Sequence, residues 1–103
     1  MYYPVYLKSE NELKKVLKNQ RKSRREIGIL FISLWDKRSQ SLLEDLKTVE
    51  NRRGLPLYVV DSFKMPHAFV IFSSTRLPHL IQFTKLGMES EFYLSRIYNE
   101  LGL

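Results

Sequence analysis

Ile27-Gly28-Ile29-Leu30-Phe31-Ile32-Ser33-Leu34-Trp35 is the stretch on which the fold turns. It is a nearly unbroken apolar run without alternation, bounded by Arg24, Arg25 and Glu26 on one side and Asp36, Lys37 and Arg38 on the other. A strand covered on both faces has this pattern, which predicts the middle of a sheet. After the polar turn 36–40, Ser41 and Glu44 have the spacing of a capping box ahead of Leu42, Leu43, Leu46 and Val49 at helical intervals. Gly54 is placed to close that helix as its C′ residue. The next apolar run, 55–60, completes a βαβ unit, for which a right-handed crossover and a parallel pair are expected.

Toward the N-terminus, residues 2–7 read as a short strand, with Pro4 marking an edge because proline cannot donate to a ladder. Ser9 and Glu12 form a second capping box. Leu13, Val16, Leu17 and Gln20 follow as the buried stripe of a helix that frays over 21–25. Toward the C-terminus, residues 67–72 and 79–84 have hairpin-like spacing, separated by the turn 73–78 and ended by Gly87. A last helix over 89–101 would place Tyr93, Leu94, Ile97, Tyr98 and Leu101 on one face, with Glu89 and Glu91 in its first turn. The order is βαβαβββα: an α/β fold with a mixed central sheet flanked by helices, in one domain over 1–103.

The chain has 103 residues, 44% of them hydrophobic and 13% aromatic, enough to build one core without metal or disulfide support. It contains no cysteine, so thiol–disulfide exchange, which needs an attacking thiolate, is excluded. No apolar run approaches the length of a membrane span, and the first residues lack the layout of a signal peptide. A soluble, cytoplasmic protein without membrane contact is expected, in keeping with the lack of cysteine. The net charge of +6 is concentrated in residues 1–26, which hold eight basic groups against three acids. An electrostatic partner would meet the chain there.

Taken together, the strand ending in Trp35, the amphipathic helix, Leu57-Tyr58-Val59-Val60-Asp61, then Met65-Pro66-His67-Ala68-Phe69-Val70-Ile71-Phe72, a turn, a strand ending at Gly87 and a final helix resemble the thioredoxin family. The likeness spans nearly the whole chain and rests on order and spacing. It implies that Pro66 takes the position of the cis-proline opening the fourth strand, since only an X–Pro bond adopts cis at low cost. It implies that the family's dithiol would fall near Ser39 to Leu42, where there is no sulfur. It also implies that the third helix is reduced to Asp61-Ser62-Phe63-Lys64-Met65, a link that still spans a neighbouring strand or two. The family's peptide-binding groove, transferred residue by residue, would be Trp35, Met65, Pro66 and Gly87.

No catalytic residue is expected. Serine needs an adjacent base to become a nucleophile, and capping accounts for Ser39 and Ser41. The alternative is a glutathione-type site in which a hydroxyl holds the ligand's thiolate, with Glu89-Ser90 as the acidic-serine pair such sites use. Otherwise no cofactor is implied. His67 and His79 each follow a proline and would start the two strands at opposite ends of a hairpin. That is the wrong geometry for a shared metal, and without cysteine a zinc site would need carboxylates from elsewhere. Trp35 either caps the core or lines the groove. Lys14, Lys18, Arg21 and Arg25 recur at i, i+4, i+7 and i+11, a basic patch that is a solvated face, an acidic-protein contact or a nucleic-acid contact. The leading expectation is a redox-inactive module that binds another protein. A nucleic-acid-associated accessory protein is the alternative.

Overall fold

The computed structural model describes residues 2–51, 54–71 and 76–102. Its sheet has the order β1-β3-β2-β4-β5, with β1 (Val5–Tyr6), β2 (Ile27–Ile32), β3 (Leu57–Asp61), β4 (His79–Phe83) and β5 (Glu89–Tyr93). The β1–β3 and β3–β2 pairs are parallel, whereas β2–β4 and β4–β5 are antiparallel. Four helices, α1 (Glu10–Ser23), α2 (Lys37–Leu46), α3 (Pro66–Ile71) and α4 (Leu94–Glu100), are assigned among the described residues.

All six residues of β2 are buried, as a central strand requires. Ile27, Ile29 and Phe31 belong to a cluster with Leu13 of α1, Ala68 of α3 and Met65. Leu30 and Ile32 belong to another with Leu42 and Leu46 of α2 and Ile97 of α4. The alternation of β2 thus feeds two cores, one on each face of the sheet. Each fully buried leucine or isoleucine contributes about 1.5–3 kcal/mol relative to exposure. Gly28 sits where a Cβ would meet Leu57 Cδ1 at 3.1 Å and Leu80 Cδ1 at 3.3 Å, so the strands' side chains close over it.

At α1 the expected cap is present: Ser9 Oγ accepts the Glu12 N–H at 3.3 Å, while Glu12 Oε2 accepts the Lys8 N–H at 2.7 Å. The helix ends at Arg24, whose φ of 54° turns the chain through the left-handed region. Arg25 therefore lies beyond the helix, and the i+11 interval does not put it on the face shared by Lys14, Lys18 and Arg21. At α2 the cap expected at Ser41 is displaced. The helix starts at Lys37 with Asp36 as N-cap, leaving Ser41 exposed within it. It stops at Leu46, well before Gly54, which instead closes a turn onto Asn51.

Two elements correct the expected order, which becomes βαβαβαββα. The third helix is present as α3, where a strand over 67–72 was expected. Phe72 and residues 73–75 of the expected turn lie outside the described residues. Met65 and Ala68 are buried and Phe69 is half-buried, an i, i+3, i+4 set that serves a helix, and Pro66 takes the first helical position. Phe69 packs edge-on against Phe31 with ring centroids 5.1 Å apart. Conversely, residues 89–93 form β5 rather than the first turns of the last helix. That segment pairs with β4 in register from Phe83↔Glu89 to His79↔Tyr93. Glu89 and Glu91 lie exposed on this edge strand, where charge discourages further pairing.

Candidate functional site

β2 and β3 finish, and β4 begins, at one end of the sheet: Ile32 pairs with Asp61, Phe31 with His79 and His79 with Tyr93. The connections leaving this end carry four exposed apolar side chains. Leu34 and Trp35 follow β2, Phe63 follows β3 and Leu94 follows β5; Trp35 is 82% exposed and Phe63 75%. Trp35 therefore does not cap the core. Apolar side chains gathered on loops and a helix start at one end of a sheet are the kind of surface that recognises partners.

The loop beneath Trp35 is held by polar side chains. Ser33 Oγ accepts the Trp35 N–H at 3.3 Å, and the Gln40 side-chain amide donates to the Leu34 carbonyl. Ser39 is fully buried: its Oγ accepts the Ser33 N–H at 3.3 Å and donates to Asp36 Oδ2 at 3.1 Å. Burial raises the Asp36 pKa, but the Ser39 hydroxyl and the Arg38 guanidinium outweigh it and hold the carboxyl below the ordinary value. The Arg38 Nε lies 3.5 Å from Asp36 Oδ1. A buried hydroxyl facing a weakly basic carboxylate is neither accessible nor activated as a nucleophile.

Beside this loop, the Leu77–Pro78 peptide bond is cis and leads into β4. The cis-proline is thus Pro78, not Pro66, which heads α3. His79 follows, fully buried, stacked on Tyr93 with centroids 4.6 Å apart and lying 5.8 Å from the Phe31 ring. The Arg76 guanidinium sits over the Tyr93 ring, 6.0 Å from its centroid. Burial lowers the His79 pKa, partly opposed by Glu91, whose Oε1 is 3.5 Å from His79 Nε2. His67 lies exposed on α3 rather than on a strand, so the two histidines do not mark the ends of a hairpin.

The expected groove residues are not brought together. Trp35 is at this end of the sheet, and Met65 and Pro66 follow β3 from it, but Met65 is packed into the core. Gly87 lies in the β4–β5 turn, at the opposite end, bonded through its N–H to the Thr84 carbonyl. Phe63 and Leu94 lie exposed at the Trp35 end of the sheet, whereas Pro78 is buried and Leu77 packs against the core. The sequence did offer a signal: Pro78-His79 immediately precedes an apolar run of strand length, just as Pro66-His67 does.

No family model and no curated protein matches the chain by sequence. Its architecture is that of the thioredoxins, and with cysteine absent the chain has the thioredoxin fold without a dithiol. Thioredoxin NaTrxh of Nicotiana alata matches with a TM-score of 0.79 at 11% identity, over 98% of this chain and 96% of that one. Thioredoxin O2 of Arabidopsis thaliana, in its oxidised state, gives 0.79 at 20% identity over 95% and 90%. The thioredoxin of Trichomonas vaginalis gives 0.76 at 20% identity over 96% and 95%. Cys-x-x-Cys pairs gain reactivity at a helix N-terminus. The i, i+3 pair at the start of α2 is Asp36 and Ser39, which meets the stretch 39–42 expected to match the dithiol only at Ser39.

Proposed function

We propose that this chain recognises another protein through the Trp35 end of its sheet and performs no chemistry there. The observation that carries this reading is the set of exposed apolar residues Leu34, Trp35 and Phe63, on the loops at the Leu77–Pro78 end of the sheet, with Leu94 at the start of α4. Beneath them, the pair at the start of α2 is a hydrogen-bonded serine and carboxylate. An aromatic anchor on a rigid loop is the usual centre of a protein contact, and Ser33, Ser39 and Gln40 supply that rigidity. Basic Lys37 and Arg38 at the rim favour a partner with acidic residues flanking an apolar segment.

Affinity capture from the native host with the wild-type chain, and with Trp35→Ala/Phe63→Ser, tests this reading. A discrete partner retained by the wild type and lost by the double variant, with both equally folded by circular dichroism, is the expected result. A partner held equally by both removes this end of the sheet from consideration.

A further inference from the structure

At the other end of the sheet, two clefts open side by side. One, of about 520 Å³, is lined by Arg24, Arg25, Glu26, Leu55, Pro56 and Lys85 together with Gly54. Its neighbour, of about 360 Å³, is lined by Gln20, Arg21, Arg24, Lys85, Leu86 and Gly87. Arg24 and Lys85 line both, so the two clefts adjoin across shared cations and together make a basic channel, with Glu26 as the one acid among the described lining residues. Ion pairs among the described residues involve none of Arg21, Arg24, Arg25 or Lys85.

The channel is built rather than incidental. Gln20 is only 4% exposed, and its side-chain amide donates to the Arg25 carbonyl at 3.2 Å and the Thr84 carbonyl at 3.0 Å. That side chain ties the end of α1 to the β4–β5 turn. The turn is closed in its own right by Thr84, which accepts the Gly87 N–H through its carbonyl at 2.9 Å and the Met88 N–H through its hydroxyl at 3.2 Å. The left-handed conformation of Arg24 then turns Arg24 and Arg25 away from the helix. Cations carried on backbone that is fixed by such bonds lose less on binding than cations on a flexible tail.

We infer that this channel binds a chain of linked phosphate groups. Two clefts in series suit an anion whose charge repeats along its length, and three of the four cations are guanidiniums, whose planar fork matches phosphate oxygens. Among the described residues, neither cleft is lined by an aromatic side chain. Base stacking is therefore absent, and binding follows the phosphate backbone without regard to sequence. The two sources of this chemistry are single-stranded nucleic acid and inorganic polyphosphate.

The test uses fluorescence anisotropy of a labelled twenty-residue oligothymidylate at low salt, with inorganic polyphosphate and poly-glutamate of matched charge as competitors. The wild type should bind with a log–log salt slope of magnitude up to about 3, set by four cations on a single strand. Arg24→Asn/Lys85→Gln should weaken binding at least tenfold; asparagine tolerates the left-handed conformation of position 24. Lys14→Gln/Lys18→Gln removes the same charge from the outer face of α1 and should weaken it far less. Direct binding of labelled polyphosphate alone, or of the oligonucleotide alone, supports the proposal and identifies the source. No binding to either, equal losses in the two double variants, or displacement by poly-glutamate as effective as by polyphosphate overturns it. Because the channel and Trp35 occupy opposite ends of the sheet, each proposal fails independently of the other.

Discussion

Ser39 donates its hydroxyl proton to the Asp36 carboxylate at 3.1 Å across one turn of α2, so the start of this helix is closed by a hydrogen bond. The same oxygen accepts the Ser33 N–H, which joins the helix to the end of β2. The pair is thus a structural clip, formed by a serine and a carboxylate.

Replacing both members should convert the clip into a redox pair. Asp36→Cys/Ser39→Cys is expected to form an intramolecular disulfide on mild oxidation, because the two side chains already meet at i, i+3 on a helix N-terminus. Thiol titration before and after oxidation checks this. Two free thiols persisting in a folded, oxidant-treated chain would show that the local backbone departs from that of a dithiol site.

Removing only the hydroxyl should destabilise the fold. Ser39→Ala leaves the part-buried Ser33 N–H without its side-chain acceptor and leaves Asp36 with Arg38 but without the Ser39 hydroxyl, a loss of about 1–3 kcal/mol. Urea denaturation measures it. The Asp36 pKa should rise toward its ordinary value, because the Ser39 bond is among the interactions that depress it.

Trp35→Ala, in contrast, should leave stability within about 0.5 kcal/mol of wild type, since a side chain 82% exposed contributes little burial. A thermal melt decides this. A drop of several degrees would mean that the indole packs on the core after all.

Gln20→Leu should cost about 1–3 kcal/mol despite being more apolar, because the Arg25 carbonyl loses the Gln20 amide and the Thr84 carbonyl keeps only the Gly87 N–H of its two donors. Protection of the Thr84–Met88 turn from hydrogen exchange should fall with it. Unchanged exchange there would separate Gln20 from the hairpin.

His79 should make stability depend on pH in a defined window. Its folded pKa is lowered, chiefly by burial, from an unfolded value near 6.5, so below that pH the unfolded chain binds the proton first. Stability is therefore fully present above about 6.5 and declines as pH falls toward the folded value. Asp36, also depressed but from 3.8, acts only in a more acidic range. His79→Phe, which keeps a ring between Phe31 and Tyr93, should flatten the dependence in the first window. An identical pH profile for both chains would assign it to another group.

Much of this architecture is legible along the chain. The continuous apolar run of β2, the Ser9–Glu12 cap and the Leu13–Gln20 stripe are local patterns, and each forms as its spacing dictates. Residues 66–71 and 89–93 exchanged roles because short segments carry little local preference. His67-Ala68-Phe69-Val70-Ile71 has the composition of a strand, yet Met65, Ala68 and Phe69 bury as a helix against Phe31. Glu89-Ser90-Glu91-Phe92-Tyr93 lacks a strong pattern of either kind, and the free edge of β4 makes it a strand.

By itself, the sequence determined that no thiol chemistry is present, that β2 is central, and that positive charge gathers around the first helix, because composition and periodicity are properties of neighbouring residues. Tertiary structure alone decided that Pro78 rather than Pro66 carries the cis bond, that Trp35 projects from the core, and that His79 is enclosed by Phe31 and Tyr93. It alone placed Lys85 beside Arg21 and Arg24. These relationships join residues far apart in the chain, and they exist only once strand pairing has brought those residues to the same end of the sheet.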